Sequence, residues 1–104
     1  MVRVPSSRTP THPGELMLKE FLIPLQVTRR ELADSLHLRY RRVNAMVNGR
    51  RGITPATALR LAKFFGMSPE FWMKLQYRWD LYVAQQDEAS ILQEIKPYGS
   101  DGRN

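Results

Sequence analysis

The chain has 104 residues, 16 Lys and Arg against 10 Asp and Glu, and a formal charge of +6. That length holds one domain, and a 42% hydrophobic share with 10% aromatics can close a small core. The lack of cysteine excludes disulfides, thiolate metal sites and cysteine nucleophiles. The longest apolar run, Phe21-Leu22-Ile23-Pro24-Leu25, falls far below the roughly 18 residues of a membrane-spanning helix. Val2-Arg3-Val4-Pro5 carries no secretory signal pattern, so a cytoplasmic protein with no membrane partner is expected.

Residues 1–11 read as a flexible arm. Thr11-His12-Pro13 is a helix entry with Pro at a first-turn position, and Leu18, Phe21, Leu22 and Leu25 follow at helical spacing. Pro24 is expected to disrupt the end, which gives a first helix over about 13–23. Glu15 is placed to complement the N-terminal dipole of that helix. Thr28-Arg29-Arg30-Glu31 is a capping-box pattern that opens a second helix, with Leu32, Ala33 and Leu36 facing inward. After a three-residue break at His37-Leu38-Arg39, a third helix runs from Tyr40 to Asn48 with Val43, Met46 and Val47 on one side. Asn48-Gly49 supplies residue types that tolerate the left-handed geometry of a helix stop.

The second half repeats this grammar. Thr54-Pro55 starts a fourth helix with Leu59, Leu61, Ala62 and Phe65 as a broad apolar face, and Gly66 ends it. Ser68-Pro69-Glu70 starts a fifth, whose Phe71, Trp72, Leu75, Trp79, Tyr82 and Val83 recur at three and four. Ile91, Leu92 and Ile95 add a short segment before Pro97, and residues 96–104 read as a flexible tail. No segment alternates with period two over strand length, so the fold class is all-α, a five- to six-helix bundle over 12–95. Phe64, Phe65, Met67, Phe71, Trp72, Met73 and Trp79 are expected to pack helices four and five against helix one. The apolar excess beyond one core points to a homodimer formed mainly by 71–95, with Phe71, Leu75, Trp79, Tyr82 and Val83 at its interface.

The charge is concentrated where the short helices are. Residues 1–52 hold ten basic and four acidic residues, whereas 53–104 hold six of each, and Arg39 to Arg51 contains five arginines and no acid. Two short helices across a tight break, the second studded with Arg and Asn, describe a helix-turn-helix that places the second helix in the major groove. With Val43, Met46 and Val47 inward, Arg39, Tyr40, Arg41, Asn44 and, towards the ends, Arg42 and Asn48 remain on the solvent side. Arg can fork to guanine, Asn can pair with adenine, and Tyr can pack on a thymine methyl or bond a phosphate. Arg50 and Arg51 after the helix, and Thr28, Arg29 and Arg30 at the start of helix two, are placed to grip phosphates.

The runs His12-Pro13-Gly14-Glu15-Leu16, Val47-Asn48-Gly49-Arg50-Arg51-Gly52-Ile53-Thr54 and Ser68-Pro69-Glu70-Phe71-Trp72 resemble the HigA antitoxins. So do Phe21-Leu22-Ile23-Pro24-Leu25, Thr57-Ala58-Leu59-Arg60-Leu61-Ala62 and Leu75-Gln76, and the likeness spans about 12–82. This branch belongs to the XRE-type, Cro/repressor-like helix-turn-helix proteins, and the resemblance implies a lambda-repressor-like fold. It further implies a type II antitoxin that neutralises a RelE-like HigB ribonuclease and, as a homodimer, represses its own operon at a palindromic double-stranded operator. Carried over by position, the recognition helix falls on Arg39 to Asn48, with Tyr40, Arg41 and Asn44 as base readers. The turn position that commonly holds Gly holds His37, which tolerates left-handed geometry better than a branched residue does.

Nothing points to catalysis, a metal or another cofactor. His12 and His37 have no second ligand at helical spacing, Glu15 and Glu20 splay round their helix, and Gly49-Arg50-Arg51-Gly52 matches no phosphate-cradling pattern. Besides the antitoxin, two readings stand: a stand-alone helix-turn-helix regulator without a toxin, and an RNA-binding or protein-binding helical module that docks through its arginines.

Overall fold

The structure, a computed structural model, describes residues 9–99. Helices form the whole of its regular structure, and their ends follow the capping chemistry closely. The first helical stretch begins at α1 (Pro13–Met17), where His12 Nδ1 accepts the Gly14 N–H at 2.9 Å. It widens into a π-helical stretch, Leu18–Leu22, and returns to α geometry in α2 (Ile23–Leu25). The expected stop at Pro24 is therefore corrected. An α-helical proline presses its ring on the carbonyl four residues back, and the widened turn just before it relieves that contact. The helix ends two residues later, at Gln26, in left-handed geometry with φ 58°.

Next come α3 (Arg29–Leu36) and α4 (Tyr40–Val47), then α5 (Pro55–Phe65), α6 (Pro69–Asp87) and α7 (Ala89–Glu94). At α3 both halves of the capping box form: Thr28 Oγ1 accepts the Glu31 N–H at 3.0 Å, and Glu31 Oε1 accepts the Thr28 N–H at 2.8 Å. Thr54 and Ser68 cap α5 and α6, each ahead of a proline at the first helical position. Gly49 and Gly66 take positive φ, 80° and 72°, at the ends of α4 and α5.

The core gathers Met17, Leu22, Leu32, Leu36, Val43, Met46, Leu61 and Trp72. Trp72 is fully buried, with the Phe21 ring centroid 5.0 Å away and Phe71 at 5.1 Å. Two expected core positions turn outward. Leu25 is 57% exposed, because the π-helical widening shifts the angular phase after Leu22, and Leu59 is 62% exposed because Ala58, Leu61 and Ala62 fill the buried face of α5. Phe64 likewise sits at the rim, 40% exposed, beside the Phe65 ring at 4.9 Å.

Gly14 explains how the first helix meets the fourth. A Cβ there would stand 1.9 Å from the Met46 carbonyl oxygen, so only glycine lets the two backbones approach. Of the expected arm, residues 1–8 lie outside the described residues, and Thr9 Oγ1 is 3.1 Å from the Tyr82 hydroxyl on α6. Of the expected tail, 100–104 also lie outside them.

Candidate nucleic-acid interface

The turn between α3 and α4 forms with His37 in left-handed geometry, φ 58° and ψ 43°, as expected for a residue standing in for glycine. Leu38 N donates to Ala33 O at 2.9 Å and His37 N to Asp34 O at 3.2 Å, which satisfies the carbonyls at the end of α3. From α5, Arg60 Nη1 adds bonds to Leu36 O at 2.9 Å and His37 O at 3.0 Å. A cation at a helix C-terminus also complements its dipole, so this arginine fixes the turn rather than reaching for solvent.

Helix α4 divides as its sequence predicts. Val43, Met46 and Val47 are buried, Arg39, Tyr40, Arg41 and Asn48 are exposed, and Arg42 and Asn44 are half-buried. Arg39, Arg41, Arg42, Ala45 and Arg51 line one cleft with no acidic wall. Among the described residues the salt bridge present is Lys19 with Glu15, at 2.7 Å along the first helical stretch, so none of these arginines is neutralised by a carboxylate. A cleft of one sign focuses its field outward and attracts polyanions. The following loop turns at Gly49, where Arg50 N donates to Ala45 O at 2.8 Å, leaving the Arg50 and Arg51 side chains exposed beside the cleft.

At the start of α3 the arginines make contacts within the chain that the sequence reading did not include. Arg29 Nη1 donates to Asn44 Oδ1 at 2.6 Å and to Asn48 Oδ1 at 2.9 Å. Arg30 stacks its guanidinium over the Tyr40 ring, 4.8 Å from the centroid. Both arginines thus lean on the outward side chains of α4. The Thr28 hydroxyl is engaged in its capping box, while the free amides of the first turn of α3 retain their partial positive charge.

Gln76 is an anchoring residue whose role the sequence alone does not bring out. It is buried on α6, its Oε1 accepts the Ile53 N–H at 2.8 Å, and its Nε2 donates to Asp80 Oδ1 at 2.8 Å. This pins the loop that carries Arg50 and Arg51 to the long helix. Gly52 leaves the room, since a Cβ there would meet the Gln76 amide at 2.9 Å. His12 makes a second tie, its ring packed edge-on against Trp79 at 5.0 Å and lying beside Gly49. Burial pushes the His12 imidazole below its ordinary value, with Asp80 and Glu15 opposing that shift. Among the described residues no group of His, Asp and Glu is placed to hold a metal ion.

The residues expected at a subunit interface separate. Phe71 and Leu75 pack on the chain's own core, and Trp79 and Tyr82 are half-buried near His12 and Thr9. Val83 and Leu81 on α6 are exposed, and so are Ile91 and Leu92 on α7 and Ile95 just after it.

Comparison with known proteins places this geometry. A helix-turn-helix family model matches residues 18–72. The chain is 42% identical over 93 residues to Virulence-associated protein I of Dichelobacter nodosus, covering 89% of this chain and 85% of that protein. It is 36% identical over 98 residues to the uncharacterized HTH-type transcriptional regulator YbaQ of Escherichia coli, covering 89% of this chain and 87% of that one. The solved structure of the Pseudomonas aeruginosa antitoxin HigA with the higBA promoter superposes with a TM-score of 0.82 at 36% identity, covering 85% of this chain and 97% of that chain.

Proposed function

The chain belongs to the helix-turn-helix family and to its HigA-type branch, and from that premise we propose that it is the antitoxin of a type II toxin-antitoxin pair. In this reading it binds and neutralises a RelE-like, mRNA-cleaving HigB toxin. As a homodimer it also represses its own operon by sequence-specific binding to double-stranded DNA.

The observation that carries the DNA half is the two-faced α4. Its buried Val43, Met46 and Val47 fix the helix rigidly, and its other side presents Tyr40, Arg41 and Asn44 beside an arginine cleft without a carboxylate. That arrangement suits a helix lying in the major groove, with Arg41 and Tyr40 at base edges and Arg39, Arg42, Arg50 and Arg51 on phosphates. Dimerisation supplies the second half-site. The described residues span 59 × 22 × 21 Å, and the end of α6 and α7 carry Leu81, Val83, Ile91 and Leu92 exposed. Pairing two such arms buries that apolar surface and can set two recognition helices about 34 Å apart, one turn of B-DNA. The toxin half is supported by membership of the HigA branch. No helix among the described residues is long and apolar enough to cross a membrane, which accords with a cytoplasmic site of action.

Co-expression with the product of the adjacent gene, followed by purification and an RNA-cleavage assay, tests this reading. A stable complex with suppressed cleavage is expected, together with a gel shift on the protein's own promoter. A second reading, a regulator without a toxin, is favoured by the naming of YbaQ as an HTH-type transcriptional regulator. Specific promoter binding with no complex and no inhibition would decide for it. Light scattering that gives a strict monomer at tens of micromolar would refute the homodimer.

A further inference from the structure

We propose that Arg29 is a positioning residue that sets base preference, by holding the amide oxygens of Asn44 and Asn48 so that their N–H groups face the DNA. The inference rests on the reading of α4 as the recognition helix. Arg29 is the first residue of α3, and its Nη1 lies 2.6 Å from Asn44 Oδ1 and 2.9 Å from Asn48 Oδ1. A guanidinium has five donors, no acceptor and a permanent charge, so the amide atom facing it must be oxygen. The two asparagines are four residues apart and share one side of the end of α4, which lets a single nitrogen direct one hydrogen to each. The flip of both amides is therefore dictated by Arg29.

This changes what Asn44 reads. An unrestrained asparagine pairs with adenine by accepting the N6 hydrogen through its oxygen while donating to N7. With that oxygen held by Arg29, Asn44 offers donors, and its matching partners are acceptor edges such as guanine O6 and N7 or thymine O4. Because the oxygen keeps a second lone pair, adenine pairing is weakened by this orientation and not abolished. The half-buried position of Asn44 restricts any swing of its side chain away from the arginine.

The competing role for Arg29 is a phosphate contact, and the two roles have different signatures. A phosphate contact weakens binding to every sequence alike and reduces the salt slope by about one. A positioning role changes which base is preferred at one pair of each half-site. The test uses the full chain as wild type, Arg29→Met, Arg29→Lys, Asn44→Ala and the Arg29→Met/Asn44→Ala double variant. Affinity is measured on its promoter duplex with each base pair of a half-site substituted in turn.

The wild type is expected to prefer guanine or thymine at the pair whose discrimination is lost in Asn44→Ala. Arg29→Met is expected to shift that preference towards adenine by about tenfold, and Arg29→Lys, still a pure donor, to retain it. In the Asn44→Ala background Arg29→Met should leave base preference at that pair unchanged. In the free protein the side-chain amide NMR signals of Asn44 and Asn48 should both move in Arg29→Met while the thermal transition remains cooperative. Unmoved amide signals, a wild-type preference for adenine at that pair, or a uniform loss across all duplexes would overturn the proposal. A wild type that discriminates no duplex from random DNA would instead overturn the recognition-helix reading, and this inference with it.

Discussion

Replacing Gln76 by leucine tests whether the long helix holds the loop of Arg50 and Arg51 in place. The substitution nearly conserves volume, so packing changes little and the hydrogen bonds dominate. Gln76 is 7% exposed and Ile53 is 4% exposed, so the Ile53 N–H that now meets Gln76 Oε1 at 2.8 Å would be left buried without a partner. An orphaned buried donor costs about 1–3 kcal/mol. Loss of the partly exposed bond to Asp80 adds about 0.5 kcal/mol, and the burial of leucine returns a similar amount. The net expectation is about 2 kcal/mol, or a fall of about 10 °C in Tm for a domain of this size. Urea denaturation and a thermal scan measure both quantities. Asp80→Ala separates the two ends of the amide: it removes the outer bond alone and should destabilise by no more than about 0.5 kcal/mol. Because Arg50 and Arg51 ride on the same loop, Gln76→Leu should also lower affinity for specific and random DNA together. A loss of stability below about 0.5 kcal/mol would mean that the Ile53 N–H finds another acceptor, and the account of Gln76 as the loop's anchor would fail.

Gly14→Ala should destabilise by about 3 kcal/mol or more, because the new Cβ collides with the Met46 carbonyl; a neutral or stabilising result, as helix propensity alone would give, would refute the close approach of α1 and α4. The depressed pKa of His12 ties stability to pH: its contribution is fully present above the unfolded value of 6.5 and is lost as pH falls through the lower folded value. Protonation also turns Nδ1 from acceptor to donor and breaks the cap on Gly14. Tm measured from pH 8 to pH 5 should therefore fall less in His12→Asn, which keeps a capping oxygen, than in the wild type, and parallel curves would exclude His12 as the cause. Arg41→Ala should cost about 1–3 kcal/mol on the specific duplex and little on random DNA, whereas Arg50→Ala should weaken both alike. Equal effects of the two changes on all duplexes would show that α4 does not read bases.

The parts of the fold that were legible in the sequence are those fixed by neighbours along the chain. Thr28 and Glu31 are three residues apart, so their capping box is a local fact, and the buried Leu32, Ala33, Val43, Met46 and Val47 follow from helical period. The left-handed turn at His37 is equally local, set by where α3 must end. What sequence reading missed depends on which elements meet. Pro24 is tolerated inside a helix because the preceding turn widens, and that same widening carries Leu25 out of the core. Leu59 is apolar and well spaced, but the small Ala58 and Ala62 lie at the contact with the neighbouring helices and leave it no partner. Gln76 reads as one polar residue on an amphipathic helix until Ile53 is brought beside it from 23 positions away. Arg29 and Arg30 carry the right charge for phosphate, yet their partners on α4 become visible only once the turn sets the angle between the two helices.

The motifs that mark the family turn out to build the frame. In His12-Pro13-Gly14-Glu15 the histidine caps, the proline starts the helix, the glycine admits the backbone of α4, and the glutamate pairs with Lys19. In Asn48-Gly49-Arg50-Arg51-Gly52-Ile53-Thr54, Asn48 receives Arg29, Gly49 takes positive φ, and Gly52 makes room for Gln76. Ile53 then gives its N–H to Gln76 and Thr54 caps α5, so Arg50 and Arg51 are the residues left free to face a phosphate backbone. Tyr40, Arg41 and Asn44 lie outside these motifs. A likeness carried by the motifs therefore reports on the fold, whereas the base readers proposed on α4 lie outside it. The same frame ties α6 to the loop after α4, through the His12 ring packed on Trp79 and beside Gly49 and through Gln76 bonded to Ile53 and to Asp80.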